Sequence, residues 1–284
     1  MSILELHGID GGSPLGMLAA LGALRVATLT DRSARMGWHT DSLPFYPLLE
    51  TTLTADAFCE LVCAESRRVA GTVAAYNDVI KTDPTTYRQM AEAHLSENGL
   101  PGDLTDADYF AAFACDSVTD EKDGTLKPTL LSFSNGGGMQ FLLKDFRTLV
   151  QKCSTSLVAS NILNGAPVLT ESTGLNWDPS SLRSYALRWS DPNSDKKQTD
   201  VPLNVLAFLG LAAIPSVPSG RTLTTAGFDT DGRRWTWPIW EGSVSYAVVR
   251  SLFGATPPSG LFCRFSSRRF TDNKRLYFAP ATQN

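Results

Sequence analysis

The first half of the chain carries several runs in which hydrophobic residues recur at the spacing of an α-helix. The run from Leu15 to about Thr28 is apolar on nearly every side until Arg25, so we predict a helix deep in the core. Ser13 is a typical N-cap for this helix, and Pro14 is a typical first helical residue. Residues 3–6 predict a short strand ahead of it, with a glycine-rich turn between the two.

Further helical patterns and a polar stretch follow this helix. They predict helices over residues 54–80, 83–99 and 105–113. Residues 117–128 then predict a polar loop, and the apolar residues 129–133 predict a strand.

A run of three glycines interrupts the pattern near the middle of the chain. Residues 132–140 read Ser-Phe-Ser-Asn-Gly-Gly-Gly-Met-Gln, and a helical pattern from Met139 to Val150 follows. Because glycine has no Cβ atom, Gly136, Gly137 and Gly138 allow another backbone or a ligand to come very close. Ordering three glycines costs conformational entropy, so we predict a close neighbour of this loop that compensates for the cost.

The second half of the chain contains an apolar helix that repeats the first one. Residues 202–213 predict this helix, and residues 202–211 align without gaps with residues 14–23. Pro, Leu, Leu, Ala, Leu and Gly recur at the same offsets in the two segments. An internal duplication and two convergent core helices account for this equally well.

The end of the chain is rich in predicted strands. The predicted elements are strands over residues 222–228 and 233–239, a helix over 243–253, and a hairpin of residues 260–270 and 275–278. Alternation along the first hairpin strand places Cys263 and Phe265 on one face and Arg264 and Ser266 on the other. We predict that basic residues gather at the hairpin tip, namely Arg268, Arg269, Lys274 and Arg275.

These elements predict an α+β fold class, mixed, with a helix-rich N-terminal part and a β-rich C-terminal part around a common core. We predict residues 1–180, with the glycine loop 134–138, as an acidic helical or mixed part, and residues 181–284 as a basic β-rich part. A length of 284 residues is also compatible with one continuous domain.

Charge separates the two predicted parts. Residues 1–180 contain 12 Lys and Arg against 22 Asp and Glu, whereas residues 181–284 contain 13 against 7. This segregation indicates a C-terminal part that faces a polyanion, and solvated faces that cluster by chance are the alternative interpretation.

The composition indicates a globular protein and argues against a membrane-spanning segment, a disulfide framework and a metal site. The chain is 43% hydrophobic and 19% charged, as is typical of globular proteins. The apolar residues 14–24 are too few to span a bilayer, so we expect a cytoplasmic protein without a membrane partner. Five scattered cysteines argue against a disulfide framework, and Cys59 and Cys63 lack further ligands at a metal-site spacing. We therefore expect neither a metal nor a cofactor.

Catalytic residues are hard to assign in this sequence. None of the three histidines has a partner at a recognisable spacing, and no Gly-x-Ser-x-Gly or Gly-x-Gly-x-x-Gly motif occurs. The turn from His7 to Ser13 is the best candidate site for a nucleotide or a phosphate ester, although we interpret His7 and Asp10 as turn-stabilising groups. We predict no catalytic residue, and an enzyme using this turn or a purely structural scaffold are the alternatives.

Nucleic-acid binding fits the residues better than catalysis. The glycine loop presents backbone N–H groups, and Asn135 and Gln140 can read base edges. The basic residues of the hairpin suit phosphates, with four aromatic residues interleaved for stacking: Phe262, Phe265, Phe270 and Tyr277. The predicted DNA-binding residues are therefore Asn135, Gly136, Gly137, Gly138, Gln140, Arg264, Arg268, Arg269, Lys274 and Arg275. A hairpin with core aromatics and solvated arginines is the alternative.

Several short segments together resemble a known family. They are residues 11–25, residues 134–140 (Ser-Asn-Gly-Gly-Gly-Met-Gln), 185–192 (Tyr-Ala-Leu-Arg-Trp-Ser-Asp-Pro), 204–210, 237–240 (Trp-Pro-Ile-Trp) and 265–269 (Phe-Ser-Ser-Arg-Arg). The chain resembles the small Cas8-like large subunits of type I CRISPR effector complexes, of the subtype called U or G. The resemblance spans most of the chain.

The resemblance implies a non-catalytic large subunit of a crRNA-guided surveillance complex, next to a Cas5-like subunit and Cas7-like backbone subunits. It implies recognition of the protospacer-adjacent motif in target duplex DNA, the start of R-loop formation, and recruitment of a Cas3-type helicase-nuclease. The family's glycine loop corresponds to residues 135–138. No motif here matches the family's basic finger or polar wedge, for which Lys196, Lys197 and Gln140 are working hypotheses. The net charge of −4 indicates that DNA meets one face only.

Overall fold

The computed structural model describes residues 2–74, 82–95, 104–133, 141–181, 196–253, 262–272 and 275–284. The helices within these residues are α1 (Pro14–Thr30), α2 (Ala55–Val73), α3 (Pro84–Glu92), α4 (Ala107–Phe113), α5 (Leu142–Lys152), α6 (Thr155–Val158), α7 (Val201–Gly210) and α8 (Tyr246–Leu252). The strands are β1 (Ser2–Glu5), β2 (Arg35–His39), β3 (Tyr46–Thr51), β4 (Ala114–Thr119), β5 (Leu126–Pro128), β6 (Thr170–Glu171), β7 (Gln198–Thr199), β8 (Ser216–Ser219), β9 (Thr222–Thr225), β10 (Arg234–Trp240), β11 (Val244–Ser245), β12 (Phe262–Asp272), β13 (Arg275–Phe278) and β14 (Thr282–Gln283). The predicted α+β fold class is confirmed.

Strand pairing in the described part of the chain is antiparallel throughout. The first sheet has the order β1-β3-β2-β11. The second has the order β10-β12-β13, and β14 pairs with β12 as well. The pairs β4–β5, β6–β7 and β8–β9 form separate two-stranded sheets. The two larger sheets bring the N-terminal and C-terminal ends of the chain into one structure.

The two similar apolar helices, α1 and α7, cross each other in the centre of the core. A Cβ atom at Gly22 would lie 1.9 Å from the Leu206 carbonyl oxygen, and one at Gly210 would lie 1.9 Å from the Leu18 carbonyl oxygen. Gly22 and Gly210 occupy equivalent positions in the aligned segments, as do Leu18 and Leu206. The repeated sequence therefore forms a reciprocal contact, in which each glycine accommodates the backbone of the other helix.

Tryptophan side chains attach the second sheet to the first. Trp237 on β10 donates its indole N–H to the Gly11 carbonyl oxygen at 2.8 Å, and Trp240 donates to the Met36 carbonyl oxygen at 2.8 Å. Both rings are buried, and Trp38 on β2 meets Trp240 edge to face with ring centroids 5.4 Å apart. Trp235, Trp237 and Ile239 alternate along β10 and are all buried, so their face of the strand packs on the core, whereas Trp240 at the end of the strand points to the other face.

The carboxylate of Asp31 ties the end of α1 to the end of β3. It accepts hydrogen bonds from the backbone and hydroxyl of Ser33, the hydroxyl of Thr51, and the backbone and hydroxyl of Thr52, at 2.5–3.0 Å. These bonds favour the ionised form and hold the pKa of Asp31 well below its ordinary value. Asp31 is therefore a structural anion that needs no cation.

Several local predictions are confirmed. The Ser13 hydroxyl accepts from the Gly16 N–H at 3.0 Å, and α1 is buried from Pro14 to Ala27. Thr54 caps α2 and Asp83 caps α3 through side-chain hydrogen bonds. The predicted C-terminal hairpin forms with Asp272 opposite Arg275. In each case a capping or turn residue next to a short periodic run predicts the element. Residues close together in the sequence are therefore sufficient for these predictions.

Some boundaries differ from those predicted. α3 ends at Glu92, α4 begins at Ala107 after Asp106, and α5 begins at Leu142. The end predicted for α2 near residue 80 lies outside the described residues, as does Gly99. The helix predicted over residues 202–213 forms as α7 followed by a 3₁₀ turn, Leu211–Ala213.

Two predictions between residues 117 and 133 are wrong. The predicted polar loop contains the β4–β5 hairpin, whose turn closes through the Asp120 N–H on the Thr125 carbonyl oxygen. The predicted strand over residues 129–133 is a buried turn segment instead. Its backbone pairs with side chains, since Leu130 N–H donates to the Thr225 hydroxyl and Leu131 C=O accepts from Trp177. Side chains distant in sequence thus satisfy groups that a strand would have used.

The boundary predicted at residue 180 stays a prediction. Residues 182–195 lie outside the described residues, and the hydrophobic core contains buried side chains from both sides, from Leu6 to Phe278.

Replacing either crossing glycine with alanine is expected to destabilise the fold by at least about 2 kcal/mol, because a new methyl group would overlap a backbone carbonyl. Chemical denaturation of Gly22→Ala and Gly210→Ala measures the loss. Gly71→Ala in α2 is the control, since nothing lies within 4 Å of a Cβ there, and it should gain about 0.5–1 kcal/mol. Equal stability of Gly22→Ala and the parent would contradict the crossing.

Asp31→Asn is expected to lose about 2 kcal/mol of stability at neutral pH, because a carboxylate accepting several hydrogen bonds becomes a neutral amide. The depressed pKa of Asp31 stabilises the fold above the ordinary value of 3.8, and that contribution disappears as the pH falls below it. Unfolding curves of parent and variant should therefore converge between neutral pH and strongly acidic pH. A constant gap would exclude an ionised Asp31 as the source.

Candidate nucleic-acid interface

Strand β12 carries the arginines that the sequence singles out, but it separates them. Successive side chains of a strand point to opposite faces. Arg268 is exposed, while its neighbours Ser267 and Arg269 point toward the interior, where Ser267 is buried. Asp272 pairs with Arg275, so Arg268 lies four residues, about 13 Å, from the hairpin tip. The prediction of one basic cluster at the tip is therefore wrong for Arg268 and Arg269.

The solvent side of the second sheet gathers three arginines, which we call the arginine face: Arg234, Arg264 and Arg268. Arg234 on β10 lies directly opposite Arg268 on β12. Arg264 is four residues before Arg268 on the same side of the strand. Ion pairs in the part of the chain that the structure describes involve other cations than these three. The positive charge of this face is therefore not balanced by ion pairs in the described residues. Because like charges directly opposite each other destabilise a sheet, the pair Arg234 and Arg268 has a cost in stability.

Ser266 positions the centre of the arginine face. Its hydroxyl accepts from Arg234 Nη1 at 3.2 Å and from Asn284 Nδ2 at 2.9 Å, and it contacts the Thr282 hydroxyl at 3.4 Å. Sequence reasoning missed Arg234 because only the strand register places it beside Arg268.

Arg269 occupies a different environment from the arginine face. Its guanidinium lies 5.9 Å from the ring centre of Phe133, and Nη1 reaches the Gly232 carbonyl oxygen at 3.5 Å. Its Nε is buried and has no hydrogen-bond partner among the residues that the structure describes, and burial lowers the pKa of Arg269. Phe133 also packs on Phe278 of β13, with ring centroids 4.9 Å apart. The residue that precedes the predicted glycine loop therefore rests on the β12–β13 hairpin.

Part of the predicted site lies outside the described residues: Asn135, Gly136, Gly137, Gly138, Gln140 and Lys274. Arg275 is described through its backbone, which pairs with Asp272. DNA binding by all of these residues stays a prediction.

Lys196 and Lys197 lie beside β7, on a two-stranded sheet separate from β12. Lys196 Nζ is 2.9 Å from a carboxylate oxygen of Glu171, and the Lys197 carbonyl oxygen accepts from the Ser172 N–H at 2.9 Å. Both members of the Lys196–Glu171 pair are exposed, so the pair contributes little to stability. Their assignment to a basic finger stays a prediction.

The aromatic residues near the hairpin are mostly core residues. Phe265 and Tyr277 are 7% and 6% exposed, so their predicted role in base stacking is wrong. Phe270 is half-buried beside Tyr277, with ring centroids 6.1 Å apart. Alternation had placed Phe265 on the face opposite Arg264, and Phe265 is buried on that face.

The glycine turn before α1 uses its polar groups internally. Asp10 accepts from Gly12 N–H through its carboxylate at 2.8 Å and from Ser13 N–H through its carbonyl oxygen at 3.0 Å. The Ser13 hydroxyl already binds the Gly16 N–H, and His7 lies 3.4 Å from Glu5. The N–H groups of Gly12 and Gly16, which a phosphate would need, are thus already bonded. A nucleotide-using enzyme at this turn stays the alternative prediction.

A buried ion pair lies beside two open cavities of about 480 and 600 Å³. Arg25 donates to the Asp108 carboxylate at 2.8 Å and to the Thr105 carbonyl oxygen at 2.8 Å, and Arg250 pairs with the other Asp108 oxygen at 3.2 Å. Leu29, Leu104 and Thr105 line both cavities. In this network Asp108 neutralises the buried Arg25, whereas Arg269 has a carbonyl oxygen as its acceptor.

The cysteines provide no metal site in the described residues. Cys59, Cys63 and Cys153 are buried, and burial raises the pKa of Cys59 to about 11. No group of three His, Cys, Asp or Glu side chains suited to a metal occurs in the parts of the chain listed above as described. The expectation of no metal and no cofactor stays a prediction.

The chain matches no known protein-family model and no curated protein sequence. Within the described ranges, none of the helices combines the length and the apolar character needed to cross a bilayer. The resemblance to Cas8-like subunits therefore stays an expectation from short segments, and the arrangement of charges is the structural guide to function.

Arg269→Met is expected to change the free energy of unfolding by less than about 1 kcal/mol, or to raise it, because the guanidinium it removes forms no ion pair within the described part of the chain. Arg25→Met is the matched variant. It should lose about 3 kcal/mol, because it takes the principal partner from the Asp108 carboxylate. Urea unfolding of both proteins measures the difference. A loss at Arg269 as large as that at Arg25 would mean that Arg269 is retained for stability.

Proposed function

We propose that this chain is a non-catalytic, nucleic-acid-binding large subunit of a crRNA-guided CRISPR surveillance complex. It contacts target duplex DNA through residues 134–140 and the adjoining β12–β13 hairpin. One observation supports this most strongly, namely that the buried Nε of Arg269 has no hydrogen-bond partner among the described residues, while its guanidinium lies 5.9 Å from the ring centre of Phe133, the residue before this segment.

The electrostatics of Arg269 favour an anionic partner. A charge taken out of water is costly unless it is paired, and buried charges in proteins are normally paired. Arg25, which is buried in the core, forms an ion pair with Asp108. Arg269 has one long hydrogen bond to a carbonyl oxygen, so a phosphate oxygen would supply both the missing charge and an acceptor for Nε.

The sequence of the adjoining loop fits the same partner. Three glycines let a DNA backbone or groove edge approach the chain, and they expose N–H groups that bind phosphate. Asn135 and Gln140 flank them with side chains that can hydrogen-bond to base edges. A cation that balances the phosphates and a loop that contacts the bases would together recognise a short duplex motif.

The proposed partners follow from the resemblance and from the charge distribution. They are crRNA, target double-stranded DNA, Cas7-like backbone subunits, a Cas5-like subunit and a Cas3-type helicase-nuclease. Within residues 1–180, the acidic side chains outside the segment 134–140 suit contacts with proteins, since they would repel DNA.

Replacing the three glycines with aspartate (Gly136→Asp, Gly137→Asp and Gly138→Asp together) is expected to weaken duplex binding by the assembled complex at least about tenfold. The added carboxylates repel phosphates and the side chains block close approach. Binding of a labelled target duplex measures affinity, and size-exclusion chromatography measures assembly.

His7→Ala/Asp10→Ala is the control, and it should keep full target binding and assembly. Unchanged duplex affinity of the aspartate variant in an intact complex would remove the glycine loop from the DNA site. A loss of function in the control alone would support the enzyme alternative.

A further inference from the structure

The arginine face differs from the proposed duplex site in its position and chemistry. Arg234 and Arg268 are exposed and directly opposite each other across two strands, where Cβ atoms are about 5 Å apart. Arg264 lies about 13 Å along the strand from Arg268. Arg269, beside the proposed duplex site, points to the other face of the same strand. Arg269 and the arginine face are therefore on opposite sides of β12.

The neighbours of the arginine face are neutral and polar. Thr282 and the half-buried Thr236 provide hydroxyl groups, and Asn284 provides an amide, whereas Ser266 between them is buried. Ser266 holds Arg234 by a hydrogen bond at 3.2 Å, so one arginine is already oriented. These groups suit phosphate oxygens, which accept hydrogen bonds from arginine, hydroxyl and amide donors.

The rings needed for base recognition are committed elsewhere. Phe265 and Tyr277 are buried, and Trp235 and Trp237 point into the core from β10. Phe270 follows Arg268 by two residues on the same side of β12, but it is half-buried beside Tyr277, with ring centroids 6.1 Å apart. Sequence-tolerant binding by stacking requires accessible aromatic faces, so this surface is poorly suited to reading or stacking bases.

We infer that the arginine face is a second nucleic-acid surface, which holds one sugar–phosphate strand through its phosphates and without recognising bases. The inference rests on the proposed function for the nature of the polyanion. Two opposed guanidinium groups can share one phosphate, which removes the repulsion between Arg234 and Arg268, and Arg264 contacts a phosphate further along the strand.

The test uses the full chain and fluorescent single-stranded oligonucleotides of equal length: a homopolymer, a mixed sequence and an abasic strand. All three should bind within a few-fold of one another. Changing Arg234, Arg264 and Arg268 together to glutamine should lower the affinity at low salt by at least about tenfold. It should also reduce the slope of log affinity against log salt by about 1.4, for two lost phosphates at about 0.7 each.

Two control variants separate charge at this face from charge elsewhere. Arg221→Gln removes an exposed arginine from the turn between β8 and β9 and should leave affinity and slope unchanged. The triple lysine variant of Arg234, Arg264 and Arg268 keeps the charge and should retain most of the slope, with circular dichroism confirming that it is folded.

The inference is overturned if the glutamine variant keeps the parental slope, or if the abasic strand fails to bind. Failure of the proposed duplex site would have a different signature. The aspartate variant of Gly136, Gly137 and Gly138 would then keep duplex binding, while the glutamine variant would still lose strand binding.

Discussion

The fold depends on the contact between two glycines and two carbonyl groups where α1 crosses α7. Gly22 and Gly210 have no room for a side chain, because the Leu206 and Leu18 carbonyl oxygens occupy the space. The close crossing lets two helices that are apolar on nearly every side bury surface against each other. Other elements pack around this pair. Phe208 of α7, for example, stacks on Phe146 of α5 with ring centroids 3.6 Å apart. The reciprocal contact suits both an internal duplication and convergence.

The core determines where functional charge can lie. Trp235, Trp237 and Ile239 are buried on one face of β10, and the Trp237 indole N–H donates to the Gly11 carbonyl oxygen, which fixes this inner face against the core. Since β12 pairs with β10 residue by residue, its side chains are divided in the same way. Arg268 is therefore exposed and Arg269 faces inward. The distribution of arginines over two faces is a consequence of packing.

Two inward-facing arginines show how differently the fold treats a cation. Arg25 has Asp108 as a counter-ion, Thr105 as an acceptor and the Tyr109 ring 4.9 Å away, which together offset its loss of hydration. Arg269 has the Phe133 ring and one carbonyl oxygen, and burial lowers its pKa. We expect a residue in the second situation to contribute little to stability, so the position of Arg269 against Phe133 supports the proposed function.

The sequence by itself determined the features that depend on neighbours along the chain. The cap at Ser13, the apolar helices α1 and α7 and the C-terminal hairpin all follow from local spacing and residue type. Only the tertiary structure decided that residues 129–133 form no strand, since Thr225 and Trp177 bind their backbone from distant segments. It also decided that Arg234 lies beside Arg268 and that Phe265 is buried. Strand register and burial depend on contacts between residues far apart in sequence, so periodicity could predict the hairpin but not the neighbours of its arginines.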